Sequence, residues 1–132
     1  MSLAPLFAAP LVVQVHAFAA IAAFLLGIVQ LAGPKGTVPH RALGYVWVGL
    51  MLVIAIVSFA IRGIAPDGGM SPIHALSALV LVVVPLSALA AHRGNVRRHK
   101  YAMISVFIGA LVIAGAFTLV PGRIMHAVAF GG

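Results

Sequence analysis

Four stretches of about 20 predominantly apolar residues make up most of this chain, and each is long enough to cross the hydrocarbon core of a bilayer as a helix. They are residues 11–31, 43–61, 73–91 and 101–120. Backbone inside lipid must satisfy its own polar groups, which restricts such stretches to helices. The three connections and two tails are too short to hold a further domain, so the 132 residues are expected to form one domain. The sequence predicts an all-α, integral membrane four-helix bundle. A mean hydropathy of +1.23 agrees, being far above what a water-soluble domain sustains. The residues before the first stretch carry no positive charge and its apolar run outlasts that of a secretory leader, so it reads as a retained span.

The charges sort by face. Lys35 and Arg41 fall in the turn 34–42, and Arg93, Arg97, Arg98 and Lys100 fall in the turn 92–100. The opposite face has Arg62, offset by Asp67, and Arg123. The positive-inside rule puts both basic turns in the cytoplasm and both termini on the periplasmic side of a bacterial inner membrane. A basic excess in so apolar a chain belongs at the lipid surface, and no nucleic-acid partner is expected. Without cysteine there is no disulfide, thiolate metal site, iron-sulfur cluster or covalently attached haem. With no Glu and a lone Asp67, the chain has no paired carboxylates and no ordinary triad orienter for hydrolysis. No charged residue lies deep in a span, as a transporter would require. No catalytic residue stands out; if the protein is an enzyme, it is a membrane redox protein rather than a hydrolase.

An internal repeat is visible when the sequence is displaced by 58 residues. His16-Ala17 falls on His74-Ala75, Ala20 on Ala78, Leu31-Ala32 on Leu89-Ala90, Gly36 on Gly94 and Val38 on Val96; after one extra residue His40-Arg41 falls on His99-Lys100. The bundle is thus expected to be built from two tandem two-span hairpin repeats, residues 10–63 and 71–123, related by a pseudo-two-fold axis along the membrane normal.

That symmetry puts His16 and His74 at one depth near the outer face, and His40 and His99 at one depth near the inner face. First and third spans are diagonal in such a bundle, as are second and fourth, so both pairs are positioned to meet across the interior. The inward stripes, stepping by four and three, are Ala20, Ala23, Gly27 and Gln30 from His16, and Gly44, Trp47, Met51, Ile54 and Ser58 from His40. From His74 the stripe runs through Ala78, Leu81, Pro85 and Ala88 to His92, and from His99 through Met103, Val106, Ala110 and Ile113. Haem b held by two imidazoles needs opposed histidines with small residues where the ring slides between them. His16, His74, His40 and His99 are the candidate iron ligands, and Arg41 and Lys100 the candidate partners of haem propionates on the inner side, with Arg62 or Arg123 outside. A second candidate is a copper site of soft N/S ligands at the outer face, Met70, Met125 and His126 with His16 and His74. The same histidines also suit span ends as interfacial or packing residues without any ligand, and His92 and Trp47 suit interface or core.

His16, then His40-Arg41-Ala42-Leu43-Gly44 opening the second span, then Arg98-His99-Lys100-Tyr101-Ala102-Met103 opening the fourth, resembles the bacterial family of four-span membrane proteins called domain of unknown function 2306. The ending Pro121-Gly122-Arg123-Ile124-Met125-His126 looks like one subgroup of it. The resemblance covers nearly the whole chain and implies the four-span fold; it brings no activity with it. Two functions are consistent with these residues. One is a b-type haem protein passing electrons between a quinone pool and a partner. The other is a non-catalytic accessory or assembly subunit of a larger respiratory or photosynthetic membrane complex, docked through small-residue faces such as Ala19, Ala23 and Gly27 or Ala110 and Ala114.

Overall fold

In the computed structural model, which describes residues 2–61 and 72–131, the apolar stretches are helices and no strand is present among the described residues. A short helix α1 (Ala4–Phe7) precedes the first span, α2 (Leu11–Ala32); the second and third are α3 (Val38–Ser58) and α4 (Pro72–His92). The fourth span starts as α5 (Val96–Val106), passes through a π-helical segment at Phe107–Ile113 and ends as α6 (Ala114–Phe117); a last short helix is α7 (Ile124–Phe130). Four of these helices are long and apolar enough to cross a membrane.

The second and fourth spans begin five residues ahead of their apolar stretches, for a local reason. The Thr37 hydroxyl accepts the His40 backbone N–H and Pro39 sits in the first turn, while the Asn95 side chain accepts the Arg98 N–H. Immediately before these caps, Gly36 and Gly94 hold φ of +75° and +78°, the left-handed region in which a side chain is strained. The polar His-Arg and Arg-Arg-His-Lys segments therefore form the first helical turns.

Consecutive spans pack on one another, and the π segment returns against α2. That is an up-down-up-down bundle. Ala23, Trp47, Met51, Ala55, Val80, Val84, Val106, Phe107 and Leu111 fill its centre. Leu25, Val46, Ile56, Leu79 and Phe117 point outward and stay exposed, a surface that only lipid solvates without aggregation.

The first two spans bury Ala23 and Gly27, and Trp47, Met51 and Ser58, on the stripes their periodicity predicts. In the third span the buried stripe is His74, Ser77, Val80, Val84 and Ser87, whereas Ala78 and Pro85 are exposed. Here the serines turn inward because each finds a polar partner inside, and the stripe sits one residue away from the expected one. In the fourth span the π segment adds a residue to the turn, so the register moves from Ala110 to Leu111 and Ile113 faces out.

Gly27 marks the closest approach in the interior. A Cβ there would stand 2.5 Å from the Phe107 ring and 3.3 Å from Trp47 Nε1. Trp47 Nε1–H donates to the Ala23 carbonyl at 3.0 Å, and Phe24 stacks on Phe107 at 5.7 Å. Ala23 and Gly27 are thus covered by the chain's own aromatic residues, which corrects the expectation that they form a free docking face.

Candidate functional site at the basic end of the bundle

Polar side chains inside the spans gather at two levels. At the end away from the basic turns, both histidines are bound to the backbone of the second span. His16 Nδ1–H donates to the Ile54 carbonyl at 3.1 Å. His74, 2% exposed, shares its Nε2–H between the carbonyls of Ser58 and Ile61, each at 3.1 Å. Those carbonyls lie at and just past the end of α3: the Ser58 carbonyl also accepts the Ile61 N–H at 3.1 Å, and the histidine of the neighbouring span adds a donor where the helical ladder stops. Ser58 and Ser77 hydroxyls bond beside it, and the Phe59 ring lies 5.6 Å from the His74 ring. His16 and His74 are brought to one stretch of one helix, each engaged with its backbone.

The other level lies beneath the basic turns and takes one polar residue from each span. Gln30 Nε2–H donates to the His40 carbonyl at 2.8 Å, and Ser87 Oγ–H donates to the His99 carbonyl at 3.2 Å. In each hairpin, therefore, a polar side chain late in the first helix holds the backbone of the histidine that opens the second. His99 Nδ1–H donates to the Ser87 carbonyl at 3.0 Å. Because a carbonyl only accepts, a neutral His99 holds its proton on Nδ1 and presents a lone pair on Nε2.

His40 is different. Its Nδ1 is buried and has no hydrogen-bond partner among the described residues. A buried polar atom left without a partner calls for an explanation, most often a bound ligand, ion or water. His40 also lines an apolar cavity of about 300 Å³ within the first hairpin, together with Val29, Gln30, Pro34, Thr37 and Leu43. The space beside Gly44 is taken by Gln30, whose Nε2 lies 3.5 Å from where a Cβ would stand. Arg41 and Lys100, next in sequence to the two histidines, are exposed.

The remaining candidates are dispersed. His92 is exposed and its Nε2 accepts the Tyr45 hydroxyl of the adjacent span, and Trp47 is core. His126 Nδ1–H donates to the Leu119 carbonyl at 2.7 Å, and its ring packs on Phe130 at 5.0 Å. Met125 lies in α7, while Met70, Arg62 and Asp67 fall outside the described residues. Among the described residues no three His, Cys, Asp or Glu side chains gather to hold a metal ion. Ser87, Ser77 and Tyr45 are site residues that sequence reasoning passed over, and Ser58 was placed on the inward stripe without a polar role. Their signal was available: each is a polar residue inside an apolar stretch, where an unpartnered hydroxyl is costly.

A bundle of four apolar helices, with a histidine in every span and six of its eight Lys and Arg residues in two turns, defines a small multispan membrane protein. Residues 13–130 match the model of the predicted membrane protein family DUF2306, and the chain belongs to that family. No curated protein and no solved structure matches it.

Proposed function

We propose that this is a small electron-transfer protein of the bacterial inner membrane, in which His40 and His99 hold haem b near the cytoplasmic leaflet. The observation that carries this reading is the buried Nδ1 of His40, unpartnered among the described residues, at the same end of the bundle as a second imidazole whose Nδ1–H is anchored, leaving Nε2 for a metal. A ligand imidazole is characteristically fixed through its other nitrogen by a carbonyl or carboxylate. Arg41 and Lys100 supply cations for the two propionates at headgroup level. Bound haem supplies a one-electron couple, and a membrane quinone is the natural donor or acceptor class. The outer histidines take a structural part in this reading, because His16 and His74 are held by the second span's carbonyls.

The test is the absorption spectrum of the detergent-purified protein, oxidised and then dithionite-reduced, with haem referred to protein. We expect a reduced α band that His40→Ala and His99→Ala abolish while His16→Ala retains it. A featureless spectrum from haem-replete cells overturns the reading. A colourless chain recovered stoichiometrically with a larger respiratory or photosynthetic complex would replace it with an accessory or assembly role.

A further inference from the structure

Between the third and fourth spans, on the outside of the bundle, runs an apolar groove of about 200 Å³. Its floor is the buried pair Val80 and Val106, and its rim on the third span is Leu79, 56% exposed. On the fourth span Ala102, Gly109 and Ala110 leave the space open. A Cβ added at Gly109 meets nothing within 4 Å, so the chain itself does not fill the groove there. Gly109 and Ala110 belong to the π segment, whose wider turn sets them apart from the third span.

Followed toward the basic end, the groove stripe of Gly109, Ser105 and Ala102 steps next to Arg98, one helical turn or about 6 Å beyond Ala102. Arg97 packs over the Tyr101 ring at 5.9 Å, whereas Arg98 is exposed at the head of the groove. Arg93 and Lys100 stand in the same turn, and the chain has a single acid, Asp67.

We propose that this groove seats one acyl chain of an anionic phospholipid whose phosphate is held by Arg98. Charge selects the occupant: a neutral tail or an apolar helix would leave the cations at the mouth unpaired, while an anionic headgroup meets them at the depth where headgroups lie. Size agrees. The stretch from Ala102 to Ala110 is about 12 Å long, enough for part of one acyl chain, whereas a helix is about 10 Å across and would not enter. This inference does not rest on haem binding.

The test is native mass spectrometry of the full chain released from mixed micelles of phosphatidylglycerol and phosphatidylcholine with identical acyl chains. We expect one retained phosphatidylglycerol per chain. Arg98→Gln should lower the bound fraction about fivefold, the effect of one basic contact at a lipid surface, and Gly109→Leu should lower it at least as much by filling the groove. Arg93→Gln should change it less than about twofold, since that residue is off the stripe. Circular dichroism and elution volume establish that each variant is folded, and the two independent routes to loss guard against a misfolded one. Retention of both lipids in the proportions supplied, or equal loss in Arg93→Gln and Arg98→Gln, overturns the proposal. So does a dimer that Gly109→Leu dissociates, which would make a second copy the occupant.

Discussion

At the scale of single residues, the histidines divide by what their ring nitrogens touch. His74 serves as a cap for the end of the second span, so His74→Ala removes a side-chain donor from the Ser58 and Ile61 carbonyls. Hydrogen bonds between transmembrane helices contribute about 0.6 kcal/mol on average and up to about 2, and the loss should fall in that range. Thermal unfolding in detergent should show a lowered Tm for His74→Ala; if the protein holds haem as proposed, its haem content should be unchanged, and loss of haem in this variant would mean that the outer histidine is a ligand after all. Gly27 makes the converse case. Gly27→Ala pushes a methyl group into a Phe107 ring already held by Phe24, and overpacking of this kind costs about 1–3 kcal/mol. Gly49→Ala, where an added Cβ meets nothing within 4 Å, should be neutral or stabilising in the same assay. Residue type revealed which side chains do not belong in lipid, and so His16, His40, His74 and His99 stood out. It did not reveal that backbone carbonyls occupy the outer pair, because every residue offers the same carbonyl and only the packing of the neighbouring span decides which ones a histidine reaches.

At the scale of elements, each hairpin turn combines a left-handed glycine with a side-chain cap. Thr37→Ala and Asn95→Ala should each cost about 1 kcal/mol, and Gly36→Ala and Gly94→Ala about 1–2 kcal/mol through the strained φ. Chemical denaturation in mixed micelles would measure all four. If the two turns are equivalent devices, matched variants should shift the midpoint alike; a large effect at one turn with none at the other would count against a shared construction. Spans were legible from apolar length alone, and inward faces from periodicity in the first two helices. The third helix escaped by one residue because Ser77 and Ser87 rank as polar by type yet bury well once Ser58 and His99 pair with them. The fourth escaped because a period of 3.6 assumes an unbroken α-helix, and the π segment at Phe107–Ile113 resets the count. The helix start at Val38 was legible from Thr37 and from Pro39 in the first turn, whereas that at Val96 was hidden, because apolarity marks where lipid begins and caps mark where the helix begins.

At the scale of the whole molecule, the fold ties both ends of the chain to one face. Ser2 N–H donates to the Val128 carbonyl at 3.0 Å, and α1 packs on α7, with Leu6 and Val128 buried between them. The two basic turns lie at the far end, about 30 Å away at 1.5 Å per residue along the second span. Between the two polar levels the interior is apolar, occupied by Trp47, Met51, Val84 and Phe107, so a cofactor at His40 and His99 would exchange electrons near one leaflet rather than across the bilayer. Which leaflet that is depends on the cations. Six of the eight Lys and Arg residues lie in the two turns, and this asymmetry should hold them in the cytoplasm. The chain has no cysteine, so single-cysteine labelling with a membrane-impermeant maleimide reads orientation without background. Phe7→Cys and Phe130→Cys, at positions 60% and 66% exposed, should react in cells whose outer membrane alone is permeabilised. Val96→Cys, 66% exposed in the second basic turn, should react only after the inner membrane is opened. The reverse pattern would put the His40 level against the periplasmic leaflet and exclude cytoplasmic partners for it. Replacing Arg93, Arg97 and Arg98 together with Gln leaves Lys35, Arg41 and Lys100 against Arg62 and Arg123, so the bias nearly vanishes and labelling should become mixed. If that triple variant keeps the original single orientation, charge does not set the topology, and the packing of α1 on α7 becomes the stronger candidate for what does.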